Sequence, residues 1–436
     1  MFRANGTGAE RVGDFPATPA PSGSLYTRSM RSLACCAVAV VAVAAGLIAA
    51  APSRAWNDFG HEVVARIAWQ ELEPEVRSRV LELFRQAPRD SLMHCLDLKQ
   101  DRRRGCGRFA YRLGDAESSE DADRILFERA AYWPDLARQL DKYNRPTWHY
   151  IGWTWRQGAD GTAHDTDLAV PEPNAVSQLV ELARSVADTS GRPGKRAIHL
   201  AWIFHLVGDV HQPLHAASRV TERRDEREGD RGGNGFGLDE WNRNLHAFWD
   251  GALDGRFRAQ YRDRALARLD APFDGPPPEQ FWRFFGEARD REYEAHKDRV
   301  ASEARARHPL DDTIRANLKS GEFEAWAGES NQIVRESLYP PDLERGQAPS
   351  GAYAERAYDI SLQRAALAGY RLADLLTNLL APYRRQTCRR LHVWPQPPPP
   401  WELAPRNSRR SVLRRKLPGL PRARFGARPR HHGCGE

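Results

Sequence analysis

The chain has 436 residues, 41% of them hydrophobic, with 13 tryptophans and a net charge of +7, which is ample apolar material for one large core or two small ones. The charge is unevenly placed. From Arg384 to Glu436 there are 14 Lys and Arg against Glu402 and Glu436, a net of +12, so the rest of the chain sums to −5 and a basic folded domain is excluded.

In chain order, residues 1–55 read as a signal peptide with an N-terminal extension. Residues before Met30 are polar and rich in Pro and Gly, and Met30 is an alternative start. Arg28 and Arg31 precede an unbroken small and apolar run from Leu33 to Ala51, and Ser53-Arg54-Ala55 forms a small-x-small cleavage site. Cleavage there exposes Trp56, removes Cys35 and Cys36, and gives a secreted or periplasmic product. The run is also long enough for an uncleaved membrane anchor. Of the four cysteines left, Cys95 and Cys106 flank the polar stretch Asp101 to Gly105 and can close a short disulfide loop in an oxidising compartment, with zinc ligation by the pair as the other option.

Helical periodicity dominates, as in Glu62 to Phe84, Ala175 to Ala187 and Ala354 to Leu380, with no alternating strand run longer than a hairpin. The expected fold class is therefore all-α, a single helical domain over residues 56–383. Ala197 to Val210 is apolar on nearly every face, which marks a covered central helix. His205 and Asp209 interrupt it four residues apart, on one side, where imidazole and carboxylate can converge on an ion. A structural His-Asp hydrogen bond is the alternative for such a short motif. Pro213 ends this helix, so His215 approaches from just beyond it. His246 and Asp250 repeat the four-residue interval. His199 and His211 fall on other helical faces and read as packing or supporting residues.

Two segments stand apart. Phe257 to Pro309 is charged and partly helical, with Asp274-Gly-Pro-Pro-Pro278, and reads as a surface insertion. The tail 384–436, with Pro395 and Pro397 to Pro400, reads as disordered. Its charge suits electrostatic recruitment of nucleic acid or an anionic surface, or it is a solvated appendage or a read-through extension.

Trp56 followed by His61, Trp133-Pro-Asp135-Leu-Ala-Arg138, Trp148-His149-Tyr150-Ile151, the helix ending in Gln212-Pro213-Leu214-His215, Gly232-Gly233-Asn234, and Asn244-Leu245-His246 with Asp250 together resemble the zinc-dependent type I nucleases of fungi, plants and bacteria. Trp326-Ala-Gly-Glu329-Ser330 and Ala365 to Leu372 are a weaker echo. The resemblance implies a secreted single-strand-preferring endonuclease with three Zn2+ ions in a helical fold of the phospholipase C and nuclease type. It also implies a monomer with no stable protein partner, acting on single-stranded DNA, RNA and nucleotides. The products carry 5′-phosphates, and removal of 3′-phosphate from nucleotides is a further possibility of the family.

Carried over by position, one zinc takes Asp135, His149, His205 and Asp209. A second takes His215, His246 and Asp250. The third takes His61, the free amine and carbonyl of Trp56, and the second oxygen of Asp209. A free, deprotonated amine requires removal of the leader. Nitrogen and oxygen ligands without thiolate suit hydrolytic zinc, which generates hydroxide and clamps the attacking and leaving oxygens. In this scheme Asp135 orients the attacking water and Arg138 neutralises phosphoryl charge, while an ordinary surface arginine is the other reading of that position. Tyr150 reads equally as a base-stacking ring or a core aromatic. Gly152 departs from the family, whose fungal members carry an acid there that contacts the base edge. Asn234 shapes the cleft and is a substrate-contact candidate. Two rival functions are a zinc phospholipase C, whose first His lies further from the tryptophan and whose last ligand is typically Glu, and a non-catalytic nucleic-acid-binding protein using its tail.

Overall fold

The computed structural model describes residues 56–380 apart from 100–104, 111–117, 159–161 and 270–277. The expected signal peptide and the basic tail lie outside the described residues. The helices are α1 (Asp58–Glu71), α2 (Pro74–Arg85) and α3 (Ser119–Leu136), then strands β1 (Trp153–Gln157) and β2 (Ala163–Asp165), followed by α4 (Ala175–Ala187), α5 (Pro193–His211) and β3 (Ala217–Val220). The chain continues through α6 (Leu245–Asp250), α7 (Gly255–Leu266), α8 (Glu279–Arg307), α9 (Asp312–Ala316), α10 (Phe323–Ile333) and α11 (Gly351–Leu380). The all-α expectation holds, with a small sheet added at one side.

Local chemistry sets the boundaries. The Asn57 side chain caps α1 by accepting from Gly60, Ser118 caps α3, and Asn174 with Ser177 forms a capping box on α4. The periodicity from Glu62 to Phe84 is split in two, because Glu73 is extended before Pro74, which opens α2 at its first position. β1 and β2 form the hairpin, and β3 adds to β1 in parallel with Trp153 opposite Ala217. The third strand was not legible as a strand: it is four residues long, two of them buried alanine and valine, and its pairing is made across α4 and α5.

α5 is the axis. Every residue from Leu200 to His211 on it is buried, and α3, α4, α11 and α2 pack around it. Phe204 meets Phe127 of α3 and Phe84 of α2 at ring-centroid distances of 4.7 and 5.3 Å, contacts in the range where edge-to-face rings attract. On the other side, Trp155, Leu214, Phe236, Trp249 and Tyr353 form a second apolar cluster under β1 and α6. Cys95 and Cys106 are joined by a disulfide. Among the described residues, no helix is long and apolar enough to cross a membrane.

The reading of 257–309 as a surface excursion is corrected. α8 lies against α1 and α11 and buries Phe281, Tyr293, Val300, Ala301 and Ala304. Lys297 reaches inward to Glu62 and Glu128 at 2.8 and 2.7 Å, and all three side chains are at most 2% exposed. The sequence misleads because the helix has few apolar residues. Ion pairs, not only hydrophobic contacts, cover its inner face.

Candidate metal centre

The loop-to-helix junctions around α5 bring the candidate ligands together. His205 and Asp209 face one side of α5, as their spacing requires, with Nε2 of the imidazole 3.4 Å from Oδ2 of the carboxylate. His149, from the segment before β1, places Nδ1 at 3.2 Å from the same oxygen and 2.9 Å from His205 Nε2. His61 of α1 stacks its ring on His205 at 4.0 Å and sets Nε2 at 3.4 Å from Asp209 Oδ1. Asp135, in the last turn of α3, groups with His61 and His205. On a second side, His215, His246 and Asp250 form another group, with Asp250 3.5 Å from His246 and 3.9 Å from His215. Two atoms bound to one tetrahedral zinc at about 2.0–2.2 Å would be separated by about 3.3–3.6 Å; three of these six separations fall there, and the others are 2.9, 3.2 and 3.9 Å.

Main-chain carbonyls fix the tautomers. His205 Nδ1 donates to Ala131 at 2.8 Å, His246 Nδ1 donates to Gly232 at 2.7 Å, and His215 Nδ1 donates to the carbonyl of His149. Each ring therefore turns an Nε2 lone pair inward, the arrangement that metal-ligating histidines share. Pro134 has no N–H, so the Ala130 carbonyl of α3 receives no bond from it, one residue before the Ala131 carbonyl that His205 uses.

Burial makes the group costly without a cation. Asp209 is fully buried and neither of its carboxylate oxygens accepts a hydrogen bond. Desolvation, with Asp135 and Asp250 adding repulsion, pushes its pKa well above the ordinary carboxylate value. His205 is pushed down to about 4 by burial, against the pull of Asp135 and of its bond to Ala131. Burial likewise depresses His61 and His149, with neighbouring histidines and Arg138 contributing. Protons are thus disfavoured on the imidazoles, while unpartnered carboxylate oxygens converge with them. A divalent cation with nitrogen and oxygen preference fits this donor set.

Trp56 is buried beside His61, and its indole donates to the Gly208 carbonyl at 3.1 Å. The Asn57 backbone N–H bonds the Asp250 carbonyl at 3.0 Å, which ties the start of the domain to α6. Arg138 sits just past α3 with Nε 2.8 Å from Asp135 Oδ1. It lines a cavity of about 560 Å3 together with His246, Tyr150, Gly152 and Asn234. Tyr150 is thus a cleft residue, half-buried rather than core. Asn234 bonds the Arg231 carbonyl through its side-chain amide and also borders a second cavity of about 590 Å3 past His246 and Asp250. That second cavity carries Trp241, whose ring stacks on Trp282.

His199 and His211 stay outside the centre, as their helical phase requires. His211 donates to the Val207 carbonyl at 2.7 Å and contacts Arg371. Three supporting residues were missed from the sequence. Gln212 donates to Asp250 at 2.6 Å and accepts from the Leu214 N–H at 2.6 Å, so it orients a candidate ligand while capping the turn that carries His215. Gly208 lets α1 approach α5: a Cβ there would lie 2.7 Å from His61 Nδ1. A glycine inside an apolar helix costs roughly 1 kcal/mol relative to alanine, and that cost was the available signal. Gly232 holds a φ of +63 and exposes the carbonyl that fixes His246.

The S1/P1 Nuclease family model matches residues 56–381. No curated protein matches the chain.

Proposed function

The chain belongs to the S1/P1 nuclease family, a metal-dependent phosphodiesterase that acts on nucleic acids, and we propose that its centre holds three zinc ions and cuts single-stranded DNA and RNA to 5′-phosphate products. The observation that carries this reading is the convergence of five buried histidines and three aspartates from five separate parts of the chain, with the oxygens of Asp209 left without hydrogen bonds.

His149, His205, Asp209 and Asp135 would hold one ion, His215, His246 and Asp250 a second, and His61 with Asp209 and the N-terminus of Trp56 a third. Bound zinc supplies Lewis acidity and a water of lowered pKa. The chain's own residues do the rest. Asp135 accepts the hydrogen of the attacking water at a carboxylate oxygen and so aims it in line with the leaving 3′-oxygen. Arg138 offers its guanidinium to the phosphoryl oxygens, where charge grows in the transition state. Tyr150 provides a ring face for the adjacent base, and a base must be unpaired to reach it. The stacked Trp241 and Trp282 on the other flank support the same preference.

The third ion depends on a free amine at Trp56, so we place maturation at the Ala55–Trp56 bond and the mature protein, a monomer, outside the cytoplasm. The test is one preparation assayed against single-stranded and duplex DNA, RNA, a 3′-nucleotide and phosphatidylcholine, with and without chelator, with metal content and N-terminal sequence determined in parallel. Hydrolysis of phosphatidylcholine alone overturns the reading in favour of a phospholipase, and nucleic-acid binding without turnover overturns it in favour of a binding module. Replacing Arg138 by Ala should lower kcat by about 100- to 1000-fold, the usual range for a transition-state hydrogen-bond donor.

A further inference from the structure

We propose that Glu228 and Arg231 read the edge of the base held next to the centre and select guanine. The inference rests on the nuclease reading and asks which nucleotide that site prefers.

The cavity beside Arg138 and His246 holds about 560 Å3, a volume within the ordinary range for a small-ligand site. Its floor is the paired stretch of β1 and β3, where Thr154 lies opposite Ser218. Tyr150, Leu168 and Pro171 give it apolar walls, and Glu228 and Arg231 also line it. Arg138 and His246 line the same cavity as Glu228 and Arg231, so a phosphate held at Arg138 has its base in the space that Glu228 and Arg231 border.

The loop that carries these two residues buries two of its other acids. Glu226 receives Arg345 and Thr221, each at 2.6 Å, and Asp230 receives the Tyr339 hydroxyl at 2.5 Å and the Arg219 N–H at 2.9 Å. Among the described residues, the Glu228 carboxylate and the Arg231 guanidinium have no such partner. Both side chains are exposed, yet their backbone is held: Arg231 N–H bonds Ser218 Oγ at 2.9 Å, and Gly229, at a φ of +107, lies so close to Ser218 that no Cβ would fit. The same cavity has room at Gly152. Gly152 has a φ of +68, and a Cβ there would meet only the Tyr150 ring, at 4.0 Å.

A carboxylate accepts two parallel N–H groups, and a guanidinium donates two. Guanine alone among the bases presents adjacent donors, N1–H and the N2 amine, with adjacent acceptors O6 and N7 beside them. Adenine and cytosine put an acceptor where Glu228 needs a donor, and uracil and thymine have one donor between carbonyls. An unpaired carboxylate and an unpaired guanidinium lining one cavity match the guanine edge in sign.

The test compares kcat/KM of the zinc-loaded mature chain on d(TTTGTT) and d(TTTATT), with cleavage mapped next to the variable base, for the natural protein, Glu228→Gln and Arg231→Met. The natural protein should favour the guanine substrate at least tenfold, and each variant should bring its own ratio below about threefold. The ratio is internal to each preparation, so partial misfolding does not move it. Equal rates on the two substrates, or a ratio that survives both substitutions, overturns the proposal alone. Failure to cut either oligonucleotide overturns the nuclease reading and this one with it.

Discussion

The Nε2 atoms of His215 and His246 face each other at 3.2 Å while both Nδ1–H groups are committed to main-chain carbonyls. Two lone pairs at that distance repel unless a cation lies against both. Removing one ring should remove that cation: His246→Ala is expected to contain about one metal ion fewer per chain and to lose at least a thousandfold in hydrolysis. Elemental analysis of the folded variant checks it, and an unchanged metal content would contradict the assignment.

Gln212 touches no candidate ion position, yet it holds Asp250 and the turn before His215 at once. Outer hydrogen bonds of this kind are commonly worth about 10- to 100-fold in metal affinity. Gln212→Ala should therefore release metal to a chelator at concentrations about that factor lower, with little change in secondary structure by circular dichroism.

At Gly208 the space for a side chain is already occupied by His61. Gly208→Ala would raise helix propensity on an isolated helix, but here it forces α1 away from α5. Overpacking typically costs about 1–3 kcal/mol, so the melting temperature should fall despite the better helix former. A higher melting temperature would show that α1 shifts freely.

Lys297 is 1% exposed between Glu62 and Glu128, which are fully buried. Burial alone would lower the ammonium pKa, but the two carboxylates outweigh it and raise it. Lys297→Met leaves buried negative charge under-compensated, although Arg129 and Arg66 still reach Glu62 and Glu128. Breaking a buried pair in this way costs about 3–5 kcal/mol, readable as a drop in the denaturant midpoint. Deleting 257–309 should likewise give no folded protein.

Glu329 binds Arg371 through two hydrogen bonds of 2.7 Å and Arg364 through one of 3.0 Å. Burial would raise its pKa, but the two guanidiniums dominate and hold it at about 2. A carboxyl with a depressed folded pKa stabilises above its unfolded value of about 4.3, and the stabilisation is lost as pH falls from there through about 2. Glu329→Gln should therefore melt lower at pH 7 and lose less on acidification across that window. Parallel melting-temperature slopes for the two proteins would count against the pairing.

From sequence alone, the helical class, the central buried helix and its His205–Asp209 pair were legible, because a 3.6-residue period and an i, i+4 spacing are properties of the chain itself. The end of that helix at Pro213 was legible for the same reason. Likeness to a family then supplied His61, Asp135 and His149, which no local pattern singles out. Tertiary structure decided the rest. That Gln212 holds Asp250, that Gly208 admits His61, that β3 completes a sheet with β1, and that the charged helix around Lys297 is an inner wall all depend on partners 38 to 235 residues away. Periodicity encodes which face of an element is covered. What covers it is set by packing between distant segments, and a buried ion pair leaves no apolar stripe to announce it.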